Sequence, residues 1–138
     1  MSSQKLPLEG IKILDLSRLL PGPLATQMLA DMGAEVIKIE DVNSPDYIRF
    51  FPPMVGDDSA LYLSLNRNKR SIAINFKSPE GKEIFFALVK SVDVVVEQYR
   101  PGIMEKIGIG YEQAKKVNPK IIYVSVTGYG QTGPYSQK

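Results

Sequence analysis

The stretch from Ile11 to Glu40 limits what this chain can fold into more than any other part of it. Ile11-Lys12-Ile13-Leu14-Asp15-Leu16 is a short, mostly apolar run without helical spacing, which predicts a buried strand, and Arg18-Leu19-Leu20-Pro21-Gly22-Pro23 breaks it. A helix is expected next. Pro23 suits its first turn, where a missing N–H costs nothing, and Leu24, Ala25, Met28, Leu29 and Met32 fall on one face, predicted to be buried, before Gly33 ends the element. Glu35-Val36-Ile37-Lys38-Ile39-Glu40 reads as a second strand. A strand, helix, strand unit of about 30 residues sets its two strands parallel, with a right-handed crossover in about 98% of cases.

The pattern then repeats. Ser71-Ile72-Ala73-Ile74-Asn75-Phe76 reads as a strand, and Ser78 caps a helix with Pro79 and Glu80 in its first turn and Ile84, Phe85, Leu88 and Val89 on its buried face. Val92 to Glu97 is the following strand. Met104 to Ile107 and Tyr111 to Val117 are short helices flanking the Gly108-Ile109-Gly110 turn, and Lys120 to Val126 is a fifth strand. The fold class is therefore α/β, an open, mainly parallel sheet with flanking helices. From Asp41 to Asn66 the periodicity is lost, and Pro45, Pro52, Pro53 and Gly56 predict a long surface loop with one short helix from Asp58 to Leu65. Loops at the C-terminal ends of strands carry the site in such sheets. The glycine-rich segment from Thr127 to Lys138 leads toward an element the chain does not contain, and few helices are available to cover both faces of the sheet. Both features point to a fragment.

Composition narrows the chemistry. With 43% hydrophobic and 23% charged residues over 138 positions, one soluble globular domain is expected. There is no Cys, His or Trp, which excludes disulfides, thiolate or imidazole metal sites and Ser–His–Asp or Cys–His nucleophiles within this sequence. No metal is expected. Lys and Arg number 17 against 15 acids and are interspersed with them, so a nucleic-acid partner is not expected. The longest apolar run, Ile84 to Val89, is far short of the roughly 20 residues that span a bilayer, and Met1 to Gly10 carries no apolar signal core. No membrane association and a cytoplasmic location are the expectation.

Four features are candidates for binding or catalysis, each with a plain structural alternative. Leu19-Leu20-Pro21-Gly22-Pro23 enters a helix N-terminus, a place for an anion or only a tight turn, and it lacks both the dinucleotide and the P-loop glycine patterns. Asn66-Arg67-Asn68-Lys69-Arg70-Ser71 combines three cations and two amides suited to phosphate, helped by Arg100 and Lys106, or is a solvated loop. Thr127 to Tyr135, with three glycines, offers backbone N–H groups as oxyanion donors or is a connector. Asp15, at a strand end, is an acid or base candidate, although such aspartates more often orient a loop.

Several blocks taken together resemble the family III CoA-transferases, the CaiB/BaiF family, which includes alpha-methylacyl-CoA racemase. They are Leu6 to Ser17, Pro21-Gly22-Pro23, Gln27 to Glu40, Asn66 to Ser71, Val96-Glu97-Gln98-Tyr99-Arg100-Pro101-Gly102 and Gly128 to Tyr135, covering nearly the whole chain in order. The resemblance implies the N-terminal portion, residues 1–138, of a Rossmann-like large domain that binds coenzyme A. The small domain and the C-terminal return of the large domain would be absent, and the complete protein would be an interlocked homodimer.

Matched residue by residue, the family's CoA-binding positions correspond to Ala73, Ile74, Asn75 and Phe76, then Gln98, Tyr99 and Arg100, then Lys106. Two departures stand out. A position that is often Arg after the second strand is Asp41 here, leaving phosphate to Lys69, Arg70, Arg100 or Lys106, or to Arg49 by a shift of register; and the Gln of the formyl-CoA:oxalate subgroup is Leu20. The implied function is CoA transfer between carboxylic acids, from an acyl-CoA to a carboxylic acid, through an aspartyl mixed anhydride. A 2-methylacyl-CoA racemase and a non-catalytic CoA-binding module are the alternatives. No catalytic residue maps onto this sequence, so the catalytic group is expected beyond Lys138 and the 138 residues alone are expected to be inactive.

Overall fold

The computed structural model describes residues 5–138; Met1–Gln4, the start of the segment read as lacking a signal core, lie outside the described residues. Strands β1 (Lys12–Leu16), β2 (Glu35–Asp41), β5 (Lys69–Ile74), β6 (Val94–Glu97) and β7 (Ile122–Ser125) form one sheet in the order β5-β2-β1-β6-β7, every neighbouring pair parallel. Helix α1 (Pro21–Asp31) joins β1 to β2, and α3 (Pro79–Val89) joins β5 to β6. The short helices α4 (Ile103–Ile107) and α5 (Tyr111–Val117) lead to β7. The chain builds outward from β1 to β5, then crosses back to β6 and builds the other way. The C-terminal ends of β1 and β6 therefore face a crevice where successive connections part, the place at which open α/β sheets bind ligands. This is the open parallel architecture expected from the periodicity.

Alternation along each strand divides the interior. Leu14 and Leu16 of β1, Ile39 of β2 and Val95 of β6 face α3, α4 and α5, packing with Phe76, Phe85, Val89, Met104, Ile109 and Ala114. Ile13, Val36 and Val96 point to the other face and meet Ala30 and Ala34, a smaller cluster beneath α1. The Ser78 cap is formed as expected, its Oγ accepting the Gly81 N–H at 3.0 Å. The buried face of α3 is Gly81, Phe85 and Val89, with Leu88 packed at its margin, while Ile84 is 47% exposed. Ile84 is thus a correction to the expected face: at this position the helix has already turned away from the sheet.

Helix α1 departs further. Leu24, Met28 and Met32 are 40%, 53% and 46% exposed, and the buried positions are Gly22, Pro23, Thr26, Gln27 and Ala30. The helix is turned so that its polar residues face inward, because the sheet beneath it presents Asp15, Lys38 and Lys69, buried charges that need hydrogen-bonding partners.

The segment without periodicity contains a 3-10 turn (Tyr47–Phe50), a two-stranded antiparallel hairpin of β3 (Met54–Val55) and β4 (Asp58–Ser59), and α2 (Ala60–Asn66). The short helix expected from Asp58 starts at Ala60, where Ser59 Oγ accepts the Leu61 N–H at 3.1 Å. Among the described residues no helix is long and apolar enough to cross a membrane.

Candidate functional site

The floor of the crevice is set by buried charge. Lys38 Nζ reaches from β2 to the Ser17 carbonyl at 2.8 Å and to Asp46 Oδ2 at 3.1 Å. Asp46 in turn accepts the Leu19 N–H at 3.1 Å and the Ile48 N–H at 3.2 Å. Leu19 holds a left-handed backbone, φ +59°, which a branched residue adopts only when its surroundings enforce it. The turn after β1 is therefore pinned on both sides of Arg18.

Asp15 is fully buried and accepts from the Ser17 N–H at 2.9 Å, from the Ser17 hydroxyl, from Thr26 Oγ1 at 2.5 Å and from Lys69 Nζ at 2.9 Å. Burial alone would raise its pKa, but the charges of Lys69 and Lys38 and the two hydroxyl donors outweigh it and hold the carboxyl below its ordinary value. Asp15 is an orienting group, as the plain alternative had it. Lys69, nominated for phosphate, also donates to the Pro23 carbonyl, Thr26 Oγ1 and Asn66 Oδ1, and has no donor left for a ligand.

Three further candidates are corrected. The first turn of α1 offers no N–H to an anion: Pro21 and Pro23 have none, Gly22 donates to Gln98 Oε1 at 3.2 Å, and Leu24 donates to the Leu20 carbonyl at 2.9 Å. Arg67 pairs with Asp31 at 2.6 Å, Asn68 bonds the same carboxylate at 2.8 Å, and Arg70 pairs with Glu35 at 3.1 Å, all at the opposite end of the sheet from the crevice. Arg49 is held by Glu40 at 2.6 Å and Asp58 at 2.7 Å, so it does not stand in for an arginine at Asp41.

A cleft of about 330 Å³ opens at the ends of β1, β6 and β7, lined by Pro21, Gln98, Tyr99, Arg100 and Pro101 on one side and by Val126 to Tyr129, Ser136 and Lys138 on the other. Among the described residues lining it there is no acidic side chain. Three of the expected CoA-binding residues, Gln98, Tyr99 and Arg100, thus share one wall. Ala73 and Ile74 end β5 and Asn75 and Phe76 follow it, three strand spacings away, about 14 Å. The Ile74 and Phe76 side chains lie in the core, and Ala73 borders a shallow recess beside Asp41. Lys106 is exposed on α4 and does not line the cleft.

Polar contacts missed by the sequence reading join the two groups along the C-terminal edge of the sheet. Asn75 Oδ1 accepts from Asn43 Nδ2 at 3.3 Å, and Asn43 is folded onto Asp41, whose carboxylate accepts its backbone N–H at 2.9 Å. One residue further, Ser44 Oγ accepts from Arg18 Nη1 at 3.2 Å, and Arg18 Nη2 donates to the Tyr99 hydroxyl at 2.8 Å. The only sequence signal for these residues was their place in loops that follow strands. Burial pushes the Tyr99 phenol up, against the opposing charge of Arg18, so it stays protonated at neutral pH.

A parallel sheet whose connections part at β1, with a crevice there walled by amide, phenol and guanidinium groups, is a Rossmann-like α/β architecture. The chain belongs to CoA-transferase family III, whose sequence model matches residues 8–138. It is similar to human succinyl-CoA:glutarate CoA-transferase, 55% identical over 133 residues, covering 96% of this chain and 30% of the relative. A succinate--glutarate CoA-transferase of Agrobacterium fabrum is 46% identical, with 99% of this chain and 36% of the relative covered. Among solved structures, a CAIB/BAIF family protein of Brucella suis superposes with a TM-score of 0.91 at 41% identity, covering 98% of this chain and 37% of that one. The chain spans about a third of the length of the relatives it matches.

Proposed function

We propose that this chain is the N-terminal, coenzyme A-binding part of the large domain of an enzyme that transfers CoA from an acyl-CoA to a carboxylic acid. The observation that carries the reading is the placement of Gln98, Tyr99 and Arg100 together at the reversal point of the sheet in a chain of this family. Arg100 and Lys138 supply cations for phosphate, and the peptide groups of Thr127 to Tyr129 border the same space. Asn75 and Ala73 receive the far end of an extended ligand laid along the strand ends, over the bridge made by Asn43, Ser44 and Arg18.

The chemistry proposed for the complete enzyme begins with an aspartate carboxylate attacking the thioester carbonyl. The C–S bond breaks, CoA leaves as thiolate and a mixed anhydride forms. A second carboxylate attacks the aspartyl carbonyl of the anhydride and displaces the first acid as its carboxylate, leaving a new anhydride between the aspartate and the second acid; the thiolate attacks the acyl carbonyl of that anhydride, forming the new acyl-CoA and freeing the aspartate carboxylate. The enzyme is further proposed to be a cytoplasmic interlocked homodimer. The exposed apolar face of α1, Leu24, Met28 and Met32, supports a covered assembly over an isolated chain.

The test is mass spectrometry of the native-length protein incubated with succinyl-CoA and glutarate, the pair named for its relatives. Formation of glutaryl-CoA with release of succinate is the expected result. Hydrolysis without transfer, or no reaction across a panel of carboxylic acids, overturns the reading.

A further inference from the structure

Arg18 is outside the expected CoA-binding set and outside the lining of the cleft, yet the fold invests heavily in where it points. The carbonyl of Ser17 before it is held by buried Lys38 at 2.8 Å, and the N–H of Leu19 after it by buried Asp46 at 3.1 Å. Lys38 and Asp46 pair with each other at 3.1 Å, both shielded from water. Arg18 itself makes no ion pair with a carboxylate among the described residues; its guanidinium is used on neutral groups, the Tyr99 hydroxyl at 2.8 Å and Ser44 Oγ at 3.2 Å, with Cζ 4.9 Å from the centre of the Tyr99 ring. A guanidinium offers donors in a fixed planar fork, so holding two oxygens from different loops fixes their relative position.

Resting on the reading that the cleft binds coenzyme A, we propose that Arg18 is a positioning residue: its guanidinium sets the Tyr99 ring that walls the cleft and ties it to the Ser44 loop, so that the part of the edge near β6 and the part near β5 receive one ligand in register. Arg18 acts through Tyr99 and Ser44. Its charge, in no ion pair among the described residues, also favours an anionic ligand along this edge.

Isothermal titration of CoA into the native-length protein tests this, comparing wild type, Arg18→Ala, Arg18→Lys, Tyr99→Phe and the Arg18→Ala/Tyr99→Phe double variant, each with its thermal midpoint. Arg18→Ala is expected to weaken CoA about tenfold, the scale of losing a charge-assisted hydrogen bond. Arg18→Lys keeps the charge without the fork and recovers only part of that loss. The double variant is no weaker than Arg18→Ala, because one residue works through the other. In turnover the effect falls on KM for the acyl-CoA with kcat largely retained, which a merely structural role would not produce. CoA affinity within twofold of wild type in a folded Arg18→Ala protein overturns the proposal while leaving the proposed function intact, as do additive losses in the double variant. If Arg18→Ala does not fold, Tyr99→Phe decides: threefold or more weakening at an unchanged midpoint supports the proposal, and undiminished affinity overturns it. Wild type that takes up no CoA overturns the proposed function, and the role of Arg18 with it.

Discussion

Gln98 Oε1, just past the end of β6, accepts the backbone N–H of Gly22 in the first turn of α1 at 3.2 Å. This bond crosses the crevice between the two strands at which the sheet reverses. Helix and strand lie so close that position 22 has no room for a side chain: a Cβ there would lie 2.2 Å from Ser17 Cβ, 2.5 Å from Ser17 Oγ and 2.7 Å from Gln98 Oε1.

Gly22→Ala is therefore expected to destabilise the protein by about 1–3 kcal/mol, the usual cost of forcing a methyl into a filled space. Because the methyl displaces Gln98 Oε1 together with the Ser17 side chain, CoA binding weakens beyond what the loss of folded protein explains. Urea denaturation beside ligand titration checks both. Wild-type stability with displaced binding, or the reverse, separates the two effects.

Lys69→Ala leaves Asp15 buried without its nearest counter-charge. Removing one partner of a buried pair costs about 3–5 kcal/mol, and here both side chains are inaccessible to water. The pH dependence changes as well. In wild type the depressed Asp15 value contributes stability above the ordinary carboxylate value, and that contribution is lost as pH falls through the folded value. Without Lys69, burial opposes ionisation with less compensation, so the deficit of the variant relative to wild type shrinks in acid. Denaturation midpoints measured at neutral pH and near pH 4 check this; a deficit independent of pH contradicts it.

Glu97 is the opposite case. Burial, with a smaller contribution from the Glu105 charge, raises its carboxyl above the ordinary value of 4.5, although the Ser125 hydroxyl and the Tyr99 N–H at 2.7 Å favour the ionised form. The folded state therefore binds the extra proton in the window just above 4.5, and stability falls as pH rises through it. Glu97→Gln keeps an oxygen for the Tyr99 N–H and carries no charge. It is expected to be more stable than wild type at pH 7, with the gain vanishing toward pH 4; a variant less stable at pH 7 refutes the assignment.

The sheet was legible in the sequence because strand and helix periods differ so clearly from Ile11 to Glu40 and from Ser71 to Glu97, and because Ser78 announces its helix. The facing of α1 was not. Leu24, Met28 and Met32 satisfy an apolar stripe, yet Thr26 and Gln27 are buried in their place, since the need for them arises from Asp15, Lys38 and Lys69 on other elements. Lys69 misled for the same reason: a cation in a loop-like run reads as solvated until β5 pairs with β2 and carries it beneath α1. Gln98, Tyr99 and Arg100 were nominated through family resemblance, Arg100 also for its charge in a loop after a strand, and all three line the cleft. Arg18, Asn43 and Ser44 lay in loops where neither periodicity nor a recognised motif marks a residue, and only tertiary contact singles them out.

The central claim is that the C-terminal edge of this sheet holds coenzyme A, and Arg100 is, with Lys138, one of the two cations lining the cleft there. The most direct measurement is titration of CoA into the native-length protein, wild type against Arg100→Ala, at two salt concentrations. Saturable binding that weakens about tenfold in the variant, with a shallower salt dependence, is the result expected. No binding by wild type, or equal affinity and equal salt dependence in both proteins, contradicts it.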